Sequence, residues 1–145
     1  MDTHNLERFI TAQKADYAHA LSEIKEGRKR RHWMWYIFPQ IQGLGFTSTS
    51  KFYAILDLAE AEAYLKHRVL GPRLIQICEA LIQLKQDDPQ RIFGSIDQLK
   101  LKSSMTLFAA VQGADPIFGR VLDKYFNGER DKQTLKILEL VGDIT

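Results

Sequence analysis

The sequence predicts an all-α, mainly helical fold: one compact domain of about five to six helices, with at most one or two very short strands. Three observations carry this. Apolar residues recur at three- and four-residue spacing along several segments. Capping residues sit at the ends of those segments. Extended character is confined to Phe52–Leu56 and Leu99–Leu101, both short.

The first helix follows from Leu6, Phe9, Ile10, Tyr17, Leu21 and Ile24, with Gly27 as the left-handed residue that ends it. Asp57-Leu58-Ala59-Glu60 has the form of a capping box and opens a short helix through Lys66. Pro72 suits a first helical position, where its missing N–H costs nothing. Leu74, Ile77, Cys78, Leu81 and Ile82 then form one face, and Asp87-Asp88-Pro89 stops that helix. Asp115-Pro116 opens another, with Val121, Leu122, Tyr125 and Phe126 as its stripe and Asn127-Gly128 as its end. Asp131 caps the last, whose buried face would hold Leu135, Leu138 and Val141.

The 145 residues form a single domain over 1–145, with no repeat, low-complexity tract or Ser/Gly-rich linker. A chain this long buries roughly 68–70% of its unfolded surface and needs no disulfide or metal staple. An apolar content of 45% beside 26% charge argues against disorder. The lone Cys78 excludes an internal disulfide and fits a reducing compartment. The start, Met1-Asp2-Thr3-His4-Asn5, lacks the basic and apolar parts of a signal peptide. The longest apolar run, Trp33 to Pro39, is too short to span a bilayer. A cytoplasmic, soluble protein with no membrane association is the expectation.

The net charge of +2 conceals an asymmetry. Between Lys25 and His32 the balance is +4, and over the remaining residues it is −2. The chain is therefore a mildly acidic domain with one basic segment. That segment, Arg28-Lys29-Arg30-Arg31, leads through His32 into Trp33-Met34-Trp35-Tyr36 and on to Phe38-Pro39-Gln40. Cations attract phosphate or carboxylate, and aromatic faces stack on bases or rings. The combination suits a nucleotide, a phosphorylated metabolite or a nucleic-acid strand. Against this, large aromatics most often build core, and basic runs are most often solvated faces. His32, between the two, reads either as a general base or simply as a hydrogen-bonded histidine.

Gln40 to Ser50 is a loop rich in Gly and hydroxyl groups, able to offer backbone N–H groups to an anion. Gly43-Leu44-Gly45 matches no phosphate-binding fingerprint, so a simple turn is the first reading. A second cluster, Asp97 to Phe108, contains Lys100, Ser103 and Ser104. The serines read first as helix caps; a nucleophilic serine would need a lysine in contact. Glu60 and Glu62 read as an exposed helix face. The scattered His4, His19, His32 and His67 and the solitary Cys78 provide no ligand spacing, so neither metal nor cofactor is expected.

Several strings together resemble the family called domain of unknown function 1810. They are Gly27-Arg28-Lys29, His32-Trp33-Met34-Trp35, Phe38-Pro39-Gln40, Gly43-Leu44-Gly45, Ile92-Phe93-Gly94 and Ser103-Ser104-Met105-Thr106-Leu107-Phe108. Shorter matches at Glu60-Ala61, Leu70-Gly71, Lys100-Leu101, Asp131 and Thr134-Leu135 extend the resemblance from about Leu6 to Leu140. Arg68-Val69 departs from the pattern, in which a proline often follows the position of His67. The resemblance implies a mainly helical domain of bacteria and fungi and no established activity. Some members carry a calpastatin label, but nothing in this chain is like a disordered protease-inhibitor repeat.

Two functional expectations follow. In the first, the chain is a small enzyme or receptor for a nucleotide-like or phosphorylated small molecule. Arg28 and Lys29 hold the anion, Trp33 or Trp35 stacks, and Gln40 and Ser103 hydrogen-bond. His32 moves any proton, with Ser104 and Lys100 closing the pocket. This demands that His32, Gln40, Lys100 and Ser104 converge on one cavity. In the second, Arg28 to Arg31 contact nucleic-acid phosphates or an acidic protein, without catalysis.

Overall fold

The computed structural model describes residues 4–142, and among them the chain is mainly helical. Eight helices occur in that span: α1 (Glu7–Lys25), α2 (Met34–Ile37), α3 (Ser48–Phe52), α4 (Leu58–Lys66), α5 (Leu70–Gln83), α6 (Pro89–Ala109), α7 (Ile117–Phe126) and α8 (Lys132–Gly142). The two beyond the sequence expectation are the single turns α2 and α3, too short for periodicity to register. No described helix is long and apolar enough to cross a membrane.

Capping chemistry sets most boundaries. Past the end of α1, Gly27 takes φ 81°, and its N–H donates to the Ile24 carbonyl at 2.8 Å. The Arg28 N–H reaches the Glu23 carbonyl at 3.0 Å, completing a Schellman motif. The Asp57 carboxylate accepts from the Glu60 N–H at 2.9 Å and opens α4. Asp88 does not stop α5, which ends at Gln83; its carboxylate accepts from the Gln90 N–H at 3.0 Å and starts α6. Asp131 accepts from the Thr134 N–H at 2.9 Å and hydroxyl at 2.5 Å at the head of α8. The far end of α5 is closed from outside, by Lys124 Nζ donating to the Leu81 and Ile82 carbonyls at 2.9 Å and to that of Leu84.

Helices α5 and α6 form the middle of the bundle. The former packs on α1, α4 and α7, the latter on α4, α7 and α8, and α2 lies against α1. Trp33, Tyr64, Phe9, Phe38, Phe108 and Phe118 are the largest fully buried side chains. Gly71 permits α4 and α5 to meet, since a Cβ there would strike the Leu65 backbone, with its carbonyl carbon at 2.9 Å.

Four expectations are corrected. Leu99–Leu101 is not a strand but part of α6, where tertiary packing overrides the short Leu-Lys alternation. Within Phe52–Leu56 only Ile55 pairs, in an isolated parallel bridge to Ile41. Glu60 is buried, accepting from Arg8 Nη2 at 3.0 Å and from the Leu56 N–H at 3.3 Å, whereas Glu62 pairs with Lys66 at the surface. On α8, Thr134 and Leu138 are buried and Leu135 is exposed. The side chain of Val141 lies outside the described residues.

Helix α6 is broken near its start. Gly94, at φ 85° and ψ 170°, interrupts it between Phe93 and Ser95. The Ile92 carbonyl accepts instead from the Lys29 N–H at 2.8 Å.

Candidate functional site

A cleft opens where α2, the loop to α3, the middle of α6 and the start of α8 meet. It has two adjoining lobes of about 350 Å³ each, within the usual size for a small-molecule site. The bridge that fixes the loop is short: the Ile55 N–H donates to the Gln40 carbonyl and the Gln42 N–H to the Ile55 carbonyl, both at 2.8 Å. These bonds set the backbone on either side of the Gly43–Thr47 turn. Gly43 takes φ 95°, and Gly45 lies so close to Ser50 that a Cβ would meet its Oγ at 2.5 Å. The Gly-rich segment does turn at Gln42-Gly43, and Gly43, Leu44, Gly45 and Phe46 line the cleft.

The polar groups of the cleft orient one another. Ser103 Oγ donates to Gln40 Oε1 at 2.8 Å, which leaves the Gln40 amide nitrogen with two N–H groups to offer. Lys100 Nζ sits 4.4 Å from the centre of the Trp35 ring and 3.0 Å from Asp97 Oδ1. The other Asp97 oxygen holds Lys29 at 2.9 Å, and Lys29 lies 5.1 Å over the Trp33 ring. Burial alone would raise the Asp97 carboxyl. Hydrogen bonds from Lys29 and Lys100 outweigh it and hold the group below the usual carboxylate range. With two lysines on one carboxylate, the triad keeps a net positive charge beside the indole.

Trp35, Gln40, Lys100 and Ser103 therefore line one cleft. Lys29 stands behind it, through Asp97. His32 and Ser104 do not reach it, so the four-residue convergence demanded above is half met. His32 is exposed, its carbonyl accepting from the Tyr36 hydroxyl at 3.4 Å. Ser104 is fully buried inside α6, with no hydrogen-bond partner for its hydroxyl, and neither serine is a helix cap. Trp33 is core, and Arg28 is exposed outside both lobes.

The basic segment is folded around a carboxylate. Glu23, buried at the end of α1, accepts from the N–H groups of Arg30 and Arg31 at 2.6 and 3.0 Å and from the Trp33 indole at 3.0 Å. The Arg31 guanidinium adds a bond at 2.7 Å. Burial would raise this carboxyl too, but the donors bring it from 4.5 down to about 2. Arg30 pairs with Glu26 at 3.6 Å, so Lys29, Arg30 and Arg31 each face a carboxylate.

Sequence reasoning missed Asp97 as the link between the clusters, and Asp131, Gln133 and Lys51 in the lining. Asp131 was legible only as a cap, which it also is. No group of His, Cys, Asp and Glu fit to hold a metal ion occurs among the described residues. Nor does the lining contain a nucleophile on a base: the Ser103 hydroxyl donates to an amide, which takes no proton at neutral pH.

Comparison with known proteins agrees with the fold and adds no activity. A crystal structure of the conserved hypothetical protein Rv1873 from Mycobacterium tuberculosis is similar at 43% identity, with a TM-score of 0.93, over 95% of this chain and 99% of that one. A search of curated proteins returned no match. The family described as "Protein of unknown function (DUF1810)" matches residues 3–138. The chain belongs to that family.

Proposed function

We propose that the chain is a receptor for a nucleotide-like or phosphorylated small molecule, held in the cleft by Trp35, Gln40, Ser103 and Lys100. The observation that supports this most is the Gln40 amide. Its oxygen is engaged by Ser103, and its N–H groups are left beside an aromatic wall that carries a lysine. A planar ring with acceptor edges and an anionic substituent satisfies that set of groups. Binding is favoured over catalysis, because His32 lies outside the cleft and Ser104 is sealed in the core.

A thermal-shift screen with nucleotides, phosphosugars and short oligonucleotides tests the reading. A ligand at 100 times its Kd adds about 2.7 kcal/mol. For a domain of this size the midpoint rises by roughly 5–11 °C. The rise should fall to about half or less in Gln40→Ala and in Lys100→Ala. A flat response to every small molecule overturns the proposal. The second reading, an interface for nucleic acid or an acidic protein at Arg28–Arg31, is weakened by the carboxylates already facing three of its four cations. A salt-sensitive shift with the oligonucleotide alone would favour it instead.

A further inference from the structure

The two lobes are equal in volume, at about 350 Å³ each, and they are not separate cavities. Trp35, Gln40, Leu44, Gly45, Phe46 and Ser50 line both, forming a seam between them. Each lobe has its own cation, Lys51 in the first and Lys100 in the second. The walls differ as well. The first is closed by Tyr53 and Ile41, the second by Ile96, Leu99 and the polar Asp131 and Gln133.

Resting on the cleft as a small-molecule site, we infer that one ligand spans both lobes: a dinucleotide-like compound, with two ring-bearing halves joined by a charged linker. Size is the first argument, since a mononucleotide fills one lobe and leaves the other wet. The seam is the second. The N–H groups of Gly45 and Phe46 have no protein acceptor among the described residues, so a phosphate-rich linker crossing there finds donors. Apolar exposure is the third. Phe46 is 88% exposed at the seam, and Ile96 and Leu99 are 71% and 61% exposed on the second lobe. A ring laid between them covers surface that is otherwise left to water.

Titration calorimetry with adenosine monophosphate and with ADP-ribose, on the full chain, tests this. A spanning ligand behaves as two linked fragments, so ADP-ribose should bind about 10²-fold or more tighter than the monophosphate. Lys51→Ala and Lys100→Ala should each weaken ADP-ribose by about tenfold, while only one of them affects the monophosphate. Gln133→Ala, an exposed change in the second lobe, repeats the Lys100 test if that variant folds poorly. Should ADP-ribose bind no tighter than the monophosphate, or ignore one lobe's variants, the spanning ligand is ruled out. Monophosphate binding lost in Gln40→Ala would then leave the cleft itself standing. Failure of both probes to bind removes the spanning ligand and counts against the nucleotide reading of the cleft.

Discussion

Trp33 and Trp35 stand two residues apart, each beneath a lysine, and both lysines end on Asp97. Their surroundings nonetheless differ completely. Trp33 is fully buried, edge-on to Phe93, with its indole N–H given to Glu23. Trp35 is half-buried and lines both lobes of the cleft. Trp33 stands just before α2, with non-helical backbone, and Trp35 lies within its single turn, so that one indole is buried and the other lines the cleft. The comparison teaches that an aromatic-rich string is neither core nor site as a whole. The helix divides it residue by residue, and what the indole N–H and the ring faces meet decides which residue does what.

The largest test removes each ring in turn. Trp33→Ala should cost about 3–5 kcal/mol, read from the urea midpoint, because it opens a cavity and removes one of the four hydrogen bonds that Glu23 accepts. Trp35→Ala should cost about 1 kcal/mol or less and abolish the ligand-induced thermal shift. Equal destabilisation by the two would break the distinction. Next in size is Glu23→Gln, expected to cost about 2 kcal/mol at pH 7 through the lost charge-assisted bonds. Because folding lowers this carboxyl from 4.5 to about 2, its contribution is whole above pH 4.5 and fades as the pH falls towards 2. Urea midpoints of wild type and variant should therefore converge across that window, and a constant gap would place the acid sensitivity elsewhere. The smallest effects separate the two serines. Ser103→Ala loses the bond that orients Gln40, costing about 1 kcal/mol. Ser104→Ala removes a buried hydroxyl without a partner and should stay within about 0.5 kcal/mol of wild type. A larger loss there would reveal a partner for that hydroxyl.

The fold was legible wherever its cause was local. Gly27, Asp57, Asn127-Gly128 and Asp131 act within a few residues of themselves, and the helices they bound are where the spacing puts them. Asp88-Pro89 shows the limit. The sequence reads the pair as the stop of one helix, but α5 has already ended at Gln83 and the pair starts the next helix, where the break at Gly94 then conceals how far α6 runs. That is why Leu99–Leu101 reads as a strand and Ser103-Ser104 as caps. Of the side chains that line the cleft, Trp35, Gln40, Lys100 and Ser103 were legible by residue type. Burial of Glu60 by Arg8, 52 residues distant, and the tie of Lys29 to Asp97 depend on contacts that no local pattern encodes. Nor does a Ser-Ser pair reveal which hydroxyl meets a partner; the turn of α6 gives Ser103 to Gln40 and seals Ser104 away.

The bond between Gln40 and Ser103 joins residues 63 apart in the chain. At synthesis rates of roughly 5–20 residues per second, about 3–13 s separate the emergence of its two halves. For that interval Gln40 has no Ser103 to orient it, and Trp35 lacks both its lysine and the α6 wall. The cleft is accordingly late in the history of each molecule, assembled after α1 and α2 have had time to meet. A ligand that enters it recognises only chains whose folding is complete.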